Sequence, residues 1–164
     1  MSSWWAGKAR RFVRHLTGRV STSERVALAR WLTPAQMALF EAMHPADRRH
    51  GLDVVAVLRA AGHSDPDLLL AGLFHDASKG PTVGVWQRVA WSLGERYGNG
   101  VLVFAARLPG FSRAFARIRE HPERSAEMVL AAGCGERVAD LIRHQATPLD
   151  LTAGEALRLA DLAS

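Results

Sequence analysis

Leu68-Leu-Leu-Ala-Gly-Leu-Phe-His-Asp-Ala-Ser-Lys79 is an apolar run that ends abruptly in His75, Asp76 and Lys79. Its length and composition are those of a buried helix. Ser64 or Asp65 can cap the free N–H groups, Pro66 suits the first turn, and Gly80-Pro81 stops the helix. Ala71 lies four residues before His75 and Leu68 seven, so the histidine shares a stripe with core residues. An imidazole and a carboxylate at the end of such a stripe need partners, because unpaired buried polar groups are costly. The rest of the chain must supply them.

At 164 residues and 48% hydrophobic, the chain is most simply one domain with a sizeable core. No apolar run approaches the roughly 20 residues that span a bilayer, and no signal peptide is read at the N-terminus. A single cysteine, Cys134, cannot form an internal disulfide, which points to a reducing cytoplasm. Cys134 stands in a Gly-Cys-Gly turn and is read as structural rather than catalytic.

Net charge is +5, and its location matters. Residues 1–23 hold Lys8, Arg10, Arg11, Arg14 and Arg19 and no acid. From Glu24 onward sixteen basic residues meet sixteen acidic ones. The sequence therefore divides into a basic, Trp-containing segment, 1–23, and a helical domain, 24–164. Residues 3–16 read as a short basic helix with Trp5, Phe12 and Leu16 near one face. Tryptophan with arginine suits an anionic membrane surface or a nucleic-acid backbone, here through residues 1–20. The plainer reading packs the tryptophans on the domain and leaves the arginines solvated. The location expected is cytoplasmic, peripheral at the membrane if the segment binds there.

Further helices are predicted from Ser21 to about Leu32, from Thr33-Pro34, and from His44-Pro45 to about Ala61. In the last of these His50, Val54, Val57 and Leu58 form the inward stripe. Residues 83–97 are helical in period. Val101–Leu108 is ambiguous and read as helix, because nothing nearby could pair with a strand. Ser112 to about Glu120 forms one helix, and Pro122 opens another that ends at Gly133. Helices over about 135–145 and 152–162 present His144 and Asp161 beside apolar stripes. The fold expected is all-α, a single-domain bundle of about seven to nine helices.

Six side chains stand apart in this reading: His50, His75, Asp76, His121, His144 and Asp161. Any one of them could be a hydrogen-bonded core residue. Six together suggest a shared partner, and imidazole nitrogen with carboxylate oxygen suits Zn, Mn, Fe or Co. His15, His44 and His63 fall outside the set. The order His50 … His75-Asp76 … His121 … His144 … Asp161 resembles the HD-domain metal-dependent phosphohydrolase superfamily in its six-ligand, dinuclear form. Phe-His-Asp-Ala-Ser-Lys is similar to the family's HDxxK, His-Pro-Glu-Arg-Ser-Ala to its third-histidine turn, and Leu-Arg-Leu-Ala-Asp to its terminal aspartate helix. The resemblance covers about residues 44–162 and implies an HD-domain-like bundle.

It implies two divalent transition-metal ions, the first on His50, His75, Asp76 and Asp161. The second would be on His121 and His144, with Asp76 bridging. A shared hydroxide, formed as the pKa of water falls from 15.7 toward roughly 7, would attack a small phosphate ester, a nucleotide or related metabolite. Asp76 and Lys79 would be catalytic, Lys79 offering its ammonium to the phosphate. Arg113, Arg117 and Arg124 are weaker candidates for phosphate contacts. Two alternatives stay open: a di-iron oxygenase on the same ligands, and a non-enzymatic metal-binding interaction module using the basic N-terminus.

Overall fold

A computed structural model describes residues 19–80 and 83–164. The basic segment expected to be helical over 3–16 lies outside the described residues. Among those described there are nine helices and no strand, the all-α fold expected. They are α1 (Thr22–Leu28), α2 (Pro34–Ala42), α3 (Pro45–Ala60), α4 (Pro66–Phe74), α5 (Val85–Tyr97), α6 (Asn99–Ala105), α7 (Phe111–Ala131), α8 (Glu136–Arg143) and α9 (Ala153–Ala163). No helix among them is long and apolar enough to cross a membrane.

Local chemistry sets most of the boundaries. Ser21 and Thr33 each form a capping box, with Glu24 and Gln36 reaching back to the cap N–H. Pro34, Pro45 and Pro66 occupy first turns, where their missing N–H costs nothing. α3 ends on Gly62, whose φ of +89° suits only glycine well. There the His63 and Gly62 amides donate to the Leu58 and Arg59 carbonyls, a Schellman cap. α7 closes in the same way, with Gly133 at φ +79° and the Cys134 amide donating to Val129.

Three boundaries differ from expectation. α1 stops at Leu28, and Ala29–Leu32 continue as turns. α4 stops at Phe74 instead of running to Lys79. Past His75 the Ser78 amide turns to the side-chain hydroxyl of Ser125, at 3.1 Å, in place of a helical carbonyl. The third difference is at Pro122, which lies inside one continuous helix, α7, instead of opening a second. Its missing N–H releases the carbonyl of Ile118, four residues earlier, and the His121 ring donates Nδ1–H to that oxygen. The local sequence repairs the break that the proline makes.

The chain packs as two compact units, one comprising residues up to Ser78 with Pro122–Ser164, the other Lys79–His121. In the first, α4 is the central element and packs on α3, α8 and α9. Leu68, Leu69, Ala71, Gly72, Leu73 and Phe74 are all buried, so α4 is apolar on every side. Full burial of a leucine or phenylalanine side chain is worth about 1.5–3 kcal/mol. α3 approaches through two glycines: a methyl on Gly51 would lie 2.3 Å from the Leu73 carbonyl oxygen, and one on Gly72 would lie 2.9 Å from Leu58 Cδ1. The second unit has its own small core of Val83, Ala105, Phe115 and Ile118. There Trp91 and Phe111 both pack on Phe115, with ring centroids 5.7 and 5.8 Å away.

Candidate metal centre

His50 is carried by α3 one residue before Gly51, and His75 caps the C-terminus of α4 two residues after Leu73. The close glycine contact between these helices therefore fixes the spacing of the two histidines. Their ring centroids lie 5.1 Å apart at 65°, edge to face. Asp76 follows in the turn, 1% exposed, with Oδ1 3.5 Å from His75 Nε2 and Oδ2 4.0 Å from His50 Nε2. Ligand atoms of His50, His75 and Asp76 all lie within 4.8 Å of one another. α9 adds Asp161, whose Oδ1 accepts from His50 Nε2 at 2.8 Å and lies 3.4 Å from His75 Nε2.

The rings are oriented by backbone. His75 Nδ1 donates to the Gly72 carbonyl at 3.0 Å, one of the last carbonyls of α4. A carbonyl can only accept, so the proton of the neutral ring sits on Nδ1 and Nε2 keeps its lone pair. That nitrogen faces the two carboxylates. Metal-binding histidines are commonly held in this way. His50 is different, because its Nε2–H donates to Asp161, and an ion taking that nitrogen requires the proton to leave. Burial works to raise the Asp161 carboxyl, but the hydrogen bond from His50 and the adjoining His75 ring outweigh it and hold the group well below the usual carboxylate range. The donor set is two imidazoles and two carboxylates from three helices, which fits a divalent transition metal.

The other expected site residues are distributed differently. His144 caps α8 and lines an open concavity of about 560 Å³ with Asp140, Pro148 and Asp150. The next residue, Gln145, donates from Nε2 to the His75 carbonyl at 3.4 Å, which ties the end of α8 to the turn holding Asp76. His121 belongs to the second unit; it is buried, and its Nδ1–H is given to Ile118. In the neutral ring the proton is therefore on Nδ1, as in His75. Lys79 is half-buried in the turn after Asp76. Arg113 and Arg124 are exposed and Arg117 is half-buried, all on α7.

His44 has a task in the fold, since its Nδ1 accepts from the Ala46 amide and caps α3. Cys134 is buried, its Sγ accepting from Gln36 Nε2 at 3.4 Å. Burial pushes its thiol up, as expected of a structural cysteine. Sequence reasoning missed Ser78 and Ser125, whose hydroxyls bond at 3.2 Å and shape the turn after Asp76. The only sequence signal for them is two small polar residues near apolar stripes, which is weak. Comparison with protein-family models, curated proteins and solved structures found no match.

Proposed function

We propose that this protein is a metal-dependent phosphohydrolase of the HD type, acting on a small phosphate ester such as a nucleotide. The observation that supports the reading is the convergence of His50, His75 and Asp76 within 4.8 Å, with Asp161 hydrogen-bonded to His50. These four residues would hold one divalent ion. Such an ion supplies positive charge at the phosphate and acidifies water near neutral pH. The chain's own contribution is orientation. Gly72 holds the His75 ring with Nε2 facing inward, and Gln145 and Ser125 fix the turn that carries Asp76. Lys79, tethered three residues after Asp76, would offer its ammonium to a phosphate oxygen. A second ion, on His121 and His144, belongs to the same proposal.

The experiment is metal analysis of protein purified without added metal. Equilibrium dialysis against Mn²⁺, Zn²⁺ and Fe²⁺ and a hydrolysis screen over nucleotides and phosphomonoesters would follow. The dinuclear form requires two ions per chain in the parent and a lower stoichiometry in His121→Ala and His144→Ala. One ion per chain that those variants leave unchanged would reduce the centre to a single metal. Two irons with no hydrolysis would instead favour oxygen chemistry, and no bound metal would overturn the proposal.

A further inference from the structure

From Glu24 onward the acids and bases balance, but the balance is not local. The unit Lys79–His121 carries seven basic residues against two acids, a net charge of +5. Residues 24–78 and 122–164 carry nine basic residues against fourteen acids, a net charge of −5. The neutral stretch from residue 24 to 164 thus contains one cationic unit, its charge balanced by acids elsewhere in that stretch.

The cationic unit also exposes large apolar side chains. Leu102, Ala105 and Ala106 turn α6 toward the small core, which leaves Val103 and Phe104 on its outer side. Trp86 and Tyr97 of α5 are exposed as well, and these four residues are 62–72% accessible. Leu108 follows in the next turn, 48% exposed. Arg96 and Arg107 flank the set and are exposed, the Arg96 guanidinium lying 6.0 Å from the centre of the Tyr97 ring. Isolated exposed apolar residues are ordinary on a protein surface. A tryptophan, a tyrosine, a phenylalanine and two aliphatics on one two-helix hairpin and its following turn are not.

We infer that the α5–α6 hairpin is a docking surface for an anionic lipid bilayer. Arginines supply long-range attraction to acidic headgroups, while Trp86, Tyr97 and Phe104 are the side chains that settle at the boundary of headgroup and acyl chain. Val103 and Leu108 decide between a membrane and a nucleic acid. Aliphatic groups gain by entering hydrocarbon, whereas a nucleic acid rewards charge and aromatic stacking and gives nothing to an exposed valine. This surface is distinct from residues 1–23, and it makes no use of the metal ligands.

The test uses the full chain with vesicles of phosphatidylcholine, alone or mixed with phosphatidylglycerol. Binding is expected only to the mixed vesicles, weakening with salt. Each basic residue near such a surface is worth about a fivefold change in partitioning, so Arg96→Glu with Arg107→Glu should lower it at least ~20-fold. Val103→Asp with Phe104→Asp should lower it about tenfold or more while leaving the melting temperature unchanged, since both side chains are exposed. Hydrogen exchange of the parent protein on mixed vesicles should slow in residues 96–108, a readout that needs no variant. Protection confined to residues 1–23, or parental binding by both double variants, would overturn the inference. Loss of binding to a single-stranded RNA by the arginine variant, with vesicle binding kept, would overturn it in favour of nucleic acid.

Discussion

Gly51 lies against Leu73 so closely that a side-chain methyl at position 51 would sit 2.3 Å from the Leu73 carbonyl oxygen. The contact is glycine against backbone, so no rotamer change can relieve it. It lies beside both histidines of the candidate centre. Gly51→Ala should therefore force α3 away from α4, at a cost of about 1–3 kcal/mol. The melting temperature should fall, and metal affinity with it. Gly62→Ala is the contrast: its φ is +89° and the space around it is open. That change should cost about 1 kcal/mol through backbone strain alone and leave metal affinity intact. Equal losses of metal affinity in both variants would separate the glycine contact from the site.

Metal binding itself should stabilise the fold. At a free concentration of 100 times Kd a ligand adds about 2.7 kcal/mol, visible as a rise in melting temperature on adding Mn²⁺ or Zn²⁺. Asp76→Ala should abolish that rise together with the bound metal and any hydrolysis. Lys79→Ala should keep the metal and the rise, and lose substrate affinity or rate. An Asp76→Ala protein with its full metal content would remove Asp76 from the ligand set.

Acid sensitivity should trace in part to Glu24. Burial works to raise this carboxyl, but hydrogen bonds from Arg49 and Ser21 hold it down to about 2. A depressed carboxyl contributes stability above its unfolded value of 4.5 and loses it as pH falls through the folded value. Its side chain is 36% exposed, so screening limits the contribution to about 1 kcal/mol or less. Glu24→Gln keeps an oxygen for the cap and removes the charge. The variant should melt below the parent near pH ~7, and the gap should close between about pH 5 and about pH 2. A gap that does not change with pH would assign the loss to capping.

Pro122→Ala restores a backbone N–H opposite Ile118 and removes the ring clash. α7 should gain stability, by up to about 3 kcal/mol if the proline carries its full cost in a helix interior. The new N–H also competes with His121 Nδ1 for the Ile118 oxygen, so the ring should no longer hold a single tautomer. Nitrogen-15 shifts of the imidazole report this directly. An unchanged Nδ1–H form would show that something other than Ile118 fixes the ring.

Helix starts and inward stripes were readable in the sequence because they follow from short-range chemistry. Ser21 with Glu24 and Thr33 with Gln36 declare their capping boxes, and His50 keeps the phase of Val54 and Leu58. The end of α4 was not readable, since it depends on Ser125, 47 residues from Ser78 along the chain. Nor was the continuity of α7, where a proline that normally marks a helix start is accommodated by the histidine before it. The excess of base in residues 79–121 is masked in the neutral total of residues 24–164, and only the division into units sets it apart. The mutual approach of His50 and His75 rests on Gly51, a residue whose importance lies in the side chain it lacks.

The sole thiol of the chain is buried against Gln36, at the point where α7 closes. It is therefore a built-in clock. A thiol reagent added to the native protein has to wait for this part of the structure to open, and at reagent concentrations high enough to outpace reclosing its rate measures the frequency of that opening. With one cysteine the trace is a single exponential without ambiguity of assignment. Its change on adding a divalent ion gives, residue for residue, how far binding at the centre between α3 and α4 is felt at the junction of α2 and α7.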